Sequence, residues 1–251
     1  SYPNTDWVSF SRNFVQNYGL KPSSAVTQIE PRDNLANLFQ AISRGNNVLV
    51  DLARDCWNYI SLEYFSQKQE DSEVGSSTMP QKVNPIDFEN GEGNLSKANS
   101  DLEFLADYLT TSRAQRDLSD STVRRNVGVA FAHSLIGYKS VKRGLDKVEP
   151  NQEVLRDDLA DHPEILAEAW QTSSRKYGDA DAYEIVKDLT RGKKLDASKV
   201  EEVIEELPLP TNERARLKEL EPETYLGKAE EICRSSVEEA KETLSSFRPV
   251  S

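Results

Sequence analysis

Gly75-Ser76-Ser77-Thr78-Met79-Pro80-Gln81-Lys82-Val83-Asn84-Pro85 runs without interruption into Ile86-Asp87-Phe88-Glu89-Asn90. Hydroxyls, a lysine, an asparagine and two prolines are packed into one polar stretch, and Val74 is the one branched apolar residue in the ten before it. Such a stretch predicts a loop that ends at a helix start, with Pro85 near the first helical turn. Long apolar-periodic segments lie on both sides, so the loop is held between rigid helices, a common setting for chemistry. Its composition alone also fits a Ser/Gly-rich connector followed by an ordinary helix.

Outward from this stretch the periodicity is helical. Pro31 to Phe65 carries Leu35, Leu38, Ile42, Leu49, Leu52, Cys56 and Tyr59 or Ile60, with Gly45 completing the set. Pro85 to Thr111 repeats the pattern with Phe88, Gly91, Leu95, Ala98, Leu102, Leu105 and Leu109. Thr122 to Val148 repeats it again with Val123, Val127, Ala130, Ser134, Tyr138, Val141 and Leu145. Alternating steps of three and four predict helices packed lengthwise in a bundle. A shorter helix is predicted over Asp6 to Tyr18, with Trp7, Phe10 and Phe14 on one face and Gly19 as its stop.

Past Pro150 the segments shorten. Helices are predicted over Asn151–Leu159, Pro163–Tyr177, Ala180–Thr190, Ser198–Leu207, Asn212–Leu220 and Pro222–Phe247. The expected organisation is a central helical bundle over 1–149, containing a signature loop at 66–85, and a smaller helical domain over 150–251. Alternating strand patterns are scarce, and the fold class is all-α.

The 251 residues carry a net charge of −12, which disfavours a nucleic-acid or anionic-membrane surface as the main function. No apolar run is long enough for a membrane span. Cys56 and Cys233 lie far apart without metal-ligand spacing and fit packed thiols in a reducing compartment. Met79 is the one methionine, so the chain does not open on an initiator.

Three constellations can carry chemistry. In the loop, Lys82 and Asn84 can stabilise an anion that develops beside Ser76, and Glu89 follows in the first turns of the helix. Ser112-Arg113-Ala114-Gln115-Arg116-Asp117-Leu118-Ser119-Asp120-Ser121-Thr122-Val123-Arg124-Arg125-Asn126 gathers four arginines with hydroxyls. It reads either as an anion site or as a capped turn in which Arg113 and Arg116 pair with Asp117 and Asp120. Thr27-Gln28-Ile29-Glu30-Pro31 offers Gln28 as a ligand contact or a cap. His133 reads as a packed helix residue and His162 as a surface turn residue.

The order Gly75 to Asn84 resembles, without a gap, the fumarase/aspartase superfamily pattern Gly-Ser-Ser-x-Met-Pro-x-Lys-x-Asn. The continuation through Asn90, together with Gln28-Ile29-Glu30-Pro31, Ser112 to Asn126 and Leu189-Thr190-Arg191-Gly192-Lys193, resembles the adenylosuccinate lyase branch. The resemblance implies a mostly helical homotetramer in the cytoplasm with active sites built from three subunits. It implies elimination of fumarate from adenylosuccinate, giving AMP, and from SAICAR, giving AICAR, with no cofactor and no metal.

By this resemblance Ser76 removes the proton. Lys82 and Asn84 bind and stabilise the carboxylate that takes up the charge, and Glu89 partners a catalytic histidine. Gln28, Ser77, Asn90, Arg116, Ser121 and Arg125 match substrate-binding positions, the last three around the nucleotide phosphate. The histidine that acts as general acid in that family has no match here, and its role is not transferred to His133 or His162. The resemblance therefore implies the C-terminal part of a longer lyase, inactive by itself. Two alternatives are another fumarate-releasing lyase, argininosuccinate lyase-like, and a non-catalytic helical assembly module. The arginines of 112–126 argue against the former, since its substrate carries no phosphate. Ser76, Lys82, Asn84 and Glu89, all present, argue against the latter.

Overall fold

The computed structural model describes residues 2–68, 84–178, 181, 184, 186, 187 and 197–247. Two compact units emerge, Ser1–Pro150 and Asn151–Ser251. The expectation of an all-α chain holds: the strands among the described residues are two three-residue segments, and the rest of the regular structure is helical. No helix among the described residues is long and apolar enough to cross a membrane.

The first unit begins with α1 (Trp7–Gln16), capped by the Asp6 carboxylate, which accepts from the Ser9 N–H at 3.0 Å. Gly19 ends the segment at φ 70°, a conformation that favours glycine. Three long helices follow: α2 (Asp33–Ser61), α3 (Ile86–Leu109) and, after the four-residue α4 (Asp120–Val123), α5 (Val127–Lys147). α3 runs antiparallel to both α2 and α5. Asn46 of α2 meets Asn99, and Trp57 meets Glu89. Gly137 and Gly144 of α5 lie against Leu95 and Phe88. The segment after α2 does not continue as helix to Phe65. It forms β1 (Phe65–Gln67), which pairs antiparallel with β2 (Val148–Pro150), Phe65 opposite Pro150.

The α3 stripe is buried as its spacing predicts, from Phe88 through Leu95 and Leu102 to Leu109. The other two differ. In α2 the buried seam is Ala36, Phe39, Ser43, Asn46, Val50, Ala53 and Cys56. That is one residue on from the predicted series at every position except Cys56. Leu35, Ile42, Leu49 and Leu52 are half-buried, and Leu38 remains 49% exposed. α2 thus has two adjacent seams, and the one facing α3 uses smaller and more polar residues.

In α5 the buried run passes through Gly137 and Gly144 rather than Tyr138 and Leu145. The reason is helix proximity. A Cβ on Gly137 would lie 2.5 Å from Leu95 Cγ, and one on Gly144 would lie 2.7 Å from Phe88 Cζ. Gly91 of α3 is equally tight against Val141, at 2.7 Å. Bulk on α3 fills hollows that the α5 glycines leave.

A polar layer crosses this apolar interior. The Asn46 amide, fully buried, donates to Asn99 Oδ1 at 2.9 Å and Ser134 Oγ at 3.0 Å, and its oxygen accepts from the Tyr138 hydroxyl at 2.6 Å. Asn99 in turn donates to Asn47 Oδ1 at 2.7 Å. All these groups are partnered, which is the condition for burying them without a large penalty.

In the second unit, helices Gln152–Asp161, Ala167–Lys176, Ala197–Glu206 and Thr211–Lys218 are short, and the last helix, Ala229–Ser246, runs for 18 residues. Its core gathers Leu166, Trp170, Val203, Ile204, Leu207, Leu209 and Leu217. Two predicted helices are broken here. Pro163–Leu166 is a 3-10 turn before Ala167. Gly227, at φ 56°, separates the turn Pro222–Thr224 from the last helix. Most of the helix expected over Ala180–Thr190 lies outside the described residues.

Candidate active site

Of the proposed site residues, Ser76, Ser77 and Lys82 lie outside the described residues, as do most of the loop 66–85 and Leu189–Lys193. The remaining seven fall in two groups at opposite ends of α3.

The first group is at the α3 N-terminus. Pro85 occupies the N-cap position, and its carbonyl accepts from the N–H groups of Phe88 and Glu89. Asn84 precedes it, half-buried. Glu89 projects toward α2, where Oε1 accepts from the Trp57 indole N–H at 3.1 Å. Asn90 turns the other way, toward α5, and donates to Ser140 Oγ at 2.6 Å.

A ladder of polar groups fixes Asn90 from behind. Asn94 Nδ2 donates to Asn90 Oδ1 at 2.9 Å, leaving Asn94 Oδ1 to accept from His133 Nδ1 at 2.8 Å. His133 is therefore an N–H donor at Nδ1 and belongs to the helix packing. One turn before Asn90, Asp87 is paired with Lys147 Nζ at 2.8 Å and Arg143 Nε at 3.1 Å.

The second group surrounds a cavity of about 490 Å³ lined by Ile29, Glu30, Arg32, Leu35, Arg116, Leu118, Asp120, Ser121 and Arg124. Two segments 88 residues apart in sequence meet here, because Thr27 Oγ1 donates to Gln115 O at 3.4 Å. Arg32 also pairs with Asp120, both side chains largely shielded from solvent. Arg32 sits at φ 66°, and its N–H donates to Glu30 Oε2 at 2.8 Å. Gln28 lies beside this group, in a neighbouring groove of about 1010 Å³ that shares Ile29, Glu30 and Leu35 with the cavity.

The ion pairing of this segment differs from the capped-turn reading. Arg113 does pair with Asp117, at 3.2 Å, but Asp120 is taken by Arg32 and, more distantly at 3.8 Å, by Arg124. Arg116 faces the cavity. Arg124 also lines it, whereas Arg125 is not among the lining residues.

Asp117 organises the turn. It accepts from Ser119 N–H at 3.0 Å, from the Ser119 hydroxyl and from Arg113 N–H at 3.1 Å, while its own N–H donates to Ser112 Oγ at 3.1 Å. Ser119 is therefore spent on Asp117 and makes no side-chain cap for α4. Ala114 and Gln115, at φ 49° and 68°, are held in left-handed conformations within the same knot.

The Ser119 hydroxyl, then the Arg113 and Ser119 amides, hold the Asp117 carboxyl at about 2, below its ordinary 3.8. A depressed carboxyl stabilises the fold above its unfolded value and loses that contribution as pH falls through its folded value. The turn is therefore expected to keep its form down to about pH 4 and to loosen between there and about 2. Asp117→Asn should loosen it at neutral pH. Hydrogen exchange at residues 112–121 is the check, and unchanged protection in Asp117→Asn would refute this role.

Arg32 and Arg124 are not singled out as site residues by sequence, and Asp117 reads there as an ion-pair partner rather than as the organiser of the turn. The Asp-x-Ser order at 117–119 is a local turn signal that points to Asp117. Arg32 and Arg124 emerge once the two segments are folded together.

Along α3, Glu89 and Leu109 are separated by roughly 30 Å of helix axis, at about 1.5 Å per residue. Within one chain the Glu89–Asn90 group and the Arg116–Ser121 group thus cannot touch one small molecule.

Comparison with known proteins bears on both units. Residues 5–99 match the family model described as Lyase, and residues 112–226 match the one described as Adenylosuccinate lyase C-terminal. The adenylosuccinate lyase of Legionella pneumophila (strain Corby) is 50% identical over 235 residues, covering 94% of this chain and 52% of the relative. That of Escherichia coli (strain K12) is 49% identical over 229 residues, covering 91% and 50%. That of Haemophilus influenzae is 47% identical over 232 residues, covering 92% and 51%. The chain spans about half the length of the curated relatives it matches. With both units matched and about half of the aligned positions shared with these relatives, the chain belongs to the adenylosuccinate lyase family of the fumarase/aspartase superfamily.

Proposed function

We propose that this chain supplies both halves of a shared active site in a homotetrameric carbon–nitrogen lyase. The enzyme eliminates fumarate from adenylosuccinate and from SAICAR in purine nucleotide synthesis. The observation that carries this reading is the unbroken order Gly75 to Asn90 at the start of α3, in a chain about half identical to adenylosuccinate lyases.

The roles follow the chemistry. Ser76 takes the proton from the succinyl carbon next to a carboxylate. That proton is weakly acidic, so the charge left behind must meet fixed positive charge and hydrogen-bond donors. Lys82 and Asn84 provide them, with Ser77 alongside. Glu89 orients the histidine that protonates the leaving nitrogen, and that histidine comes from outside this chain's assigned residues. Asn90 contacts substrate, while Gln28, Arg116, Ser121 and Arg125 hold the nucleotide end, with the phosphate among the arginines.

The separation of the two groups along α3 supports a composite site, in which one copy gives the Glu89 end and another the Arg116 end. The second apolar seam of α2, with Leu38 exposed, supports self-association through the long helices. Two free thiols, Cys56 buried and Cys233 exposed, fit a reducing cytoplasm.

The test is Ser76→Ala in the assembled enzyme. It is expected to lower kcat by about 10²–10⁴-fold, the scale of a lost general base, while the oligomer keeps its mass. Turnover at the parent rate would show that the base lies elsewhere.

A further inference from the structure

Two rungs join α2 to α3 one helical turn apart. Arg54 Nε donates to Glu92 Oε1 at 2.8 Å, and Trp57 Nε1 donates to Glu89 Oε1 at 3.1 Å. Both run from α2 to one carboxylate oxygen on α3, and they differ in charge. The guanidinium neutralises Glu92. The indole is a donor without charge, so it fixes the Glu89 carboxylate and leaves its negative charge in place. Among the described residues the indole is the one side-chain partner of Glu89, while Asp87, two residues earlier, has two cations.

We infer that Trp57 is a positioning residue for Glu89. It holds Oε1 and thereby presents Oε2 to the imidazole that Glu89 orients. The inference rests on the proposed role of Glu89 as the partner of the catalytic histidine. A carboxylate serving an imidazole must present one oxygen in a fixed direction and remain free to balance the charge that develops on the ring. A cation in the place of Trp57 would satisfy the first requirement and defeat the second. Both residues stand on long helices whose buried faces, Ala53 and Cys56 of α2 and Phe88 of α3, share one apolar cluster, which suits a group that must not drift.

The experiment is a double-mutant cycle in the assembled enzyme with adenylosuccinate. Trp57→Phe keeps the ring and removes the donor. It is expected to lower kcat about 10-fold, the scale of one hydrogen bond to a charged group, with KM within about twofold. In a Glu89→Gln background the same change should lower kcat no further. Arg54→Gln breaks the neighbouring rung on the same two helices and should leave kcat unchanged, which separates positioning from mere helix clamping. Trp57→Phe at the parent kcat, or losses that multiply in the double variant, would overturn the inference while leaving the role of Glu89 standing. A Glu89→Gln variant at full turnover would remove both.

Discussion

Mixing two variants, Glu89→Gln and Arg116→Gln, is expected to restore turnover that neither shows alone. Glu89 stands near the start of α3, and Arg116 lies beyond its end, at a cavity that also takes Ser121 from the following turn. If each site draws one group from one copy and the other group from a second copy, random assembly leaves about a quarter of the sites with both groups intact. The mixture, co-expressed or unfolded and reassembled together, should therefore recover on the order of a quarter of parent activity, against a near-absent background for each variant. Activity no higher than the average of the separate variants would mean that one copy supplies both ends, and the proposed shared site would fall.

The second large effect is on stability. Gly137→Ala is expected to destabilise the Ser1–Pro150 bundle by about 1–3 kcal/mol, the usual range for overpacking a filled core. Helix propensity acts in the opposite direction by up to about 1 kcal/mol. Packing prevails because the new Cβ would stand 2.5 Å from Leu95 Cγ and 2.6 Å from Leu95 Cδ2, and Leu95 is itself fully buried. Gly93 on α3 is the control, since nothing lies within 4 Å of its added Cβ. Gly93→Ala should hold or raise the thermal midpoint, whereas Gly137→Ala should lower it. If both substitutions shifted the midpoint in the same direction, the close approach of α3 and α5 would not be the deciding factor.

That contrast explains which parts of the fold were legible in sequence. The α3 stripe could be read directly because its buried positions are large and apolar, from Phe88 to Leu109. Equating apolar with buried failed on α5, where Gly137 and Gly144 make the contact, Leu145 stays exposed, and Tyr138 sends only its hydroxyl inward to Asn46. It failed on α2 for a different reason. Two neighbouring seams compete there, and the one with the larger residues is not the one turned toward α3. The order Gly75–Asn84 could be read only as a resemblance, because its composition by itself fits a connector, and all of it but Asn84 lies outside the described residues. The cavity at Arg116 was only half legible. Its arginines are visible in the chain, but the contacts of Thr27 with Gln115 and Arg32 with Asp120 join segments almost ninety residues apart. Which of two adjacent arginines, Arg124 or Arg125, lines the cavity depends on the phase of the 3-10 turn that holds them, where a one-residue step is about 120° of rotation.

The layer of Asn46, Asn99, Ser134 and Tyr138 has a consequence for how the chain finds its fold. A stripe that repeats every seven residues looks nearly the same when slid by seven, so apolar contact alone leaves several sliding offsets of α3 against α2 almost equal in energy. A displaced pairing would bury the Asn46 amide against leucine with its hydrogen bonds unmade, at about 1–3 kcal/mol for each stranded group. The amides therefore act as a key that fits one notch. They add little to the depth of the native state and much to the gap between it and its near copies.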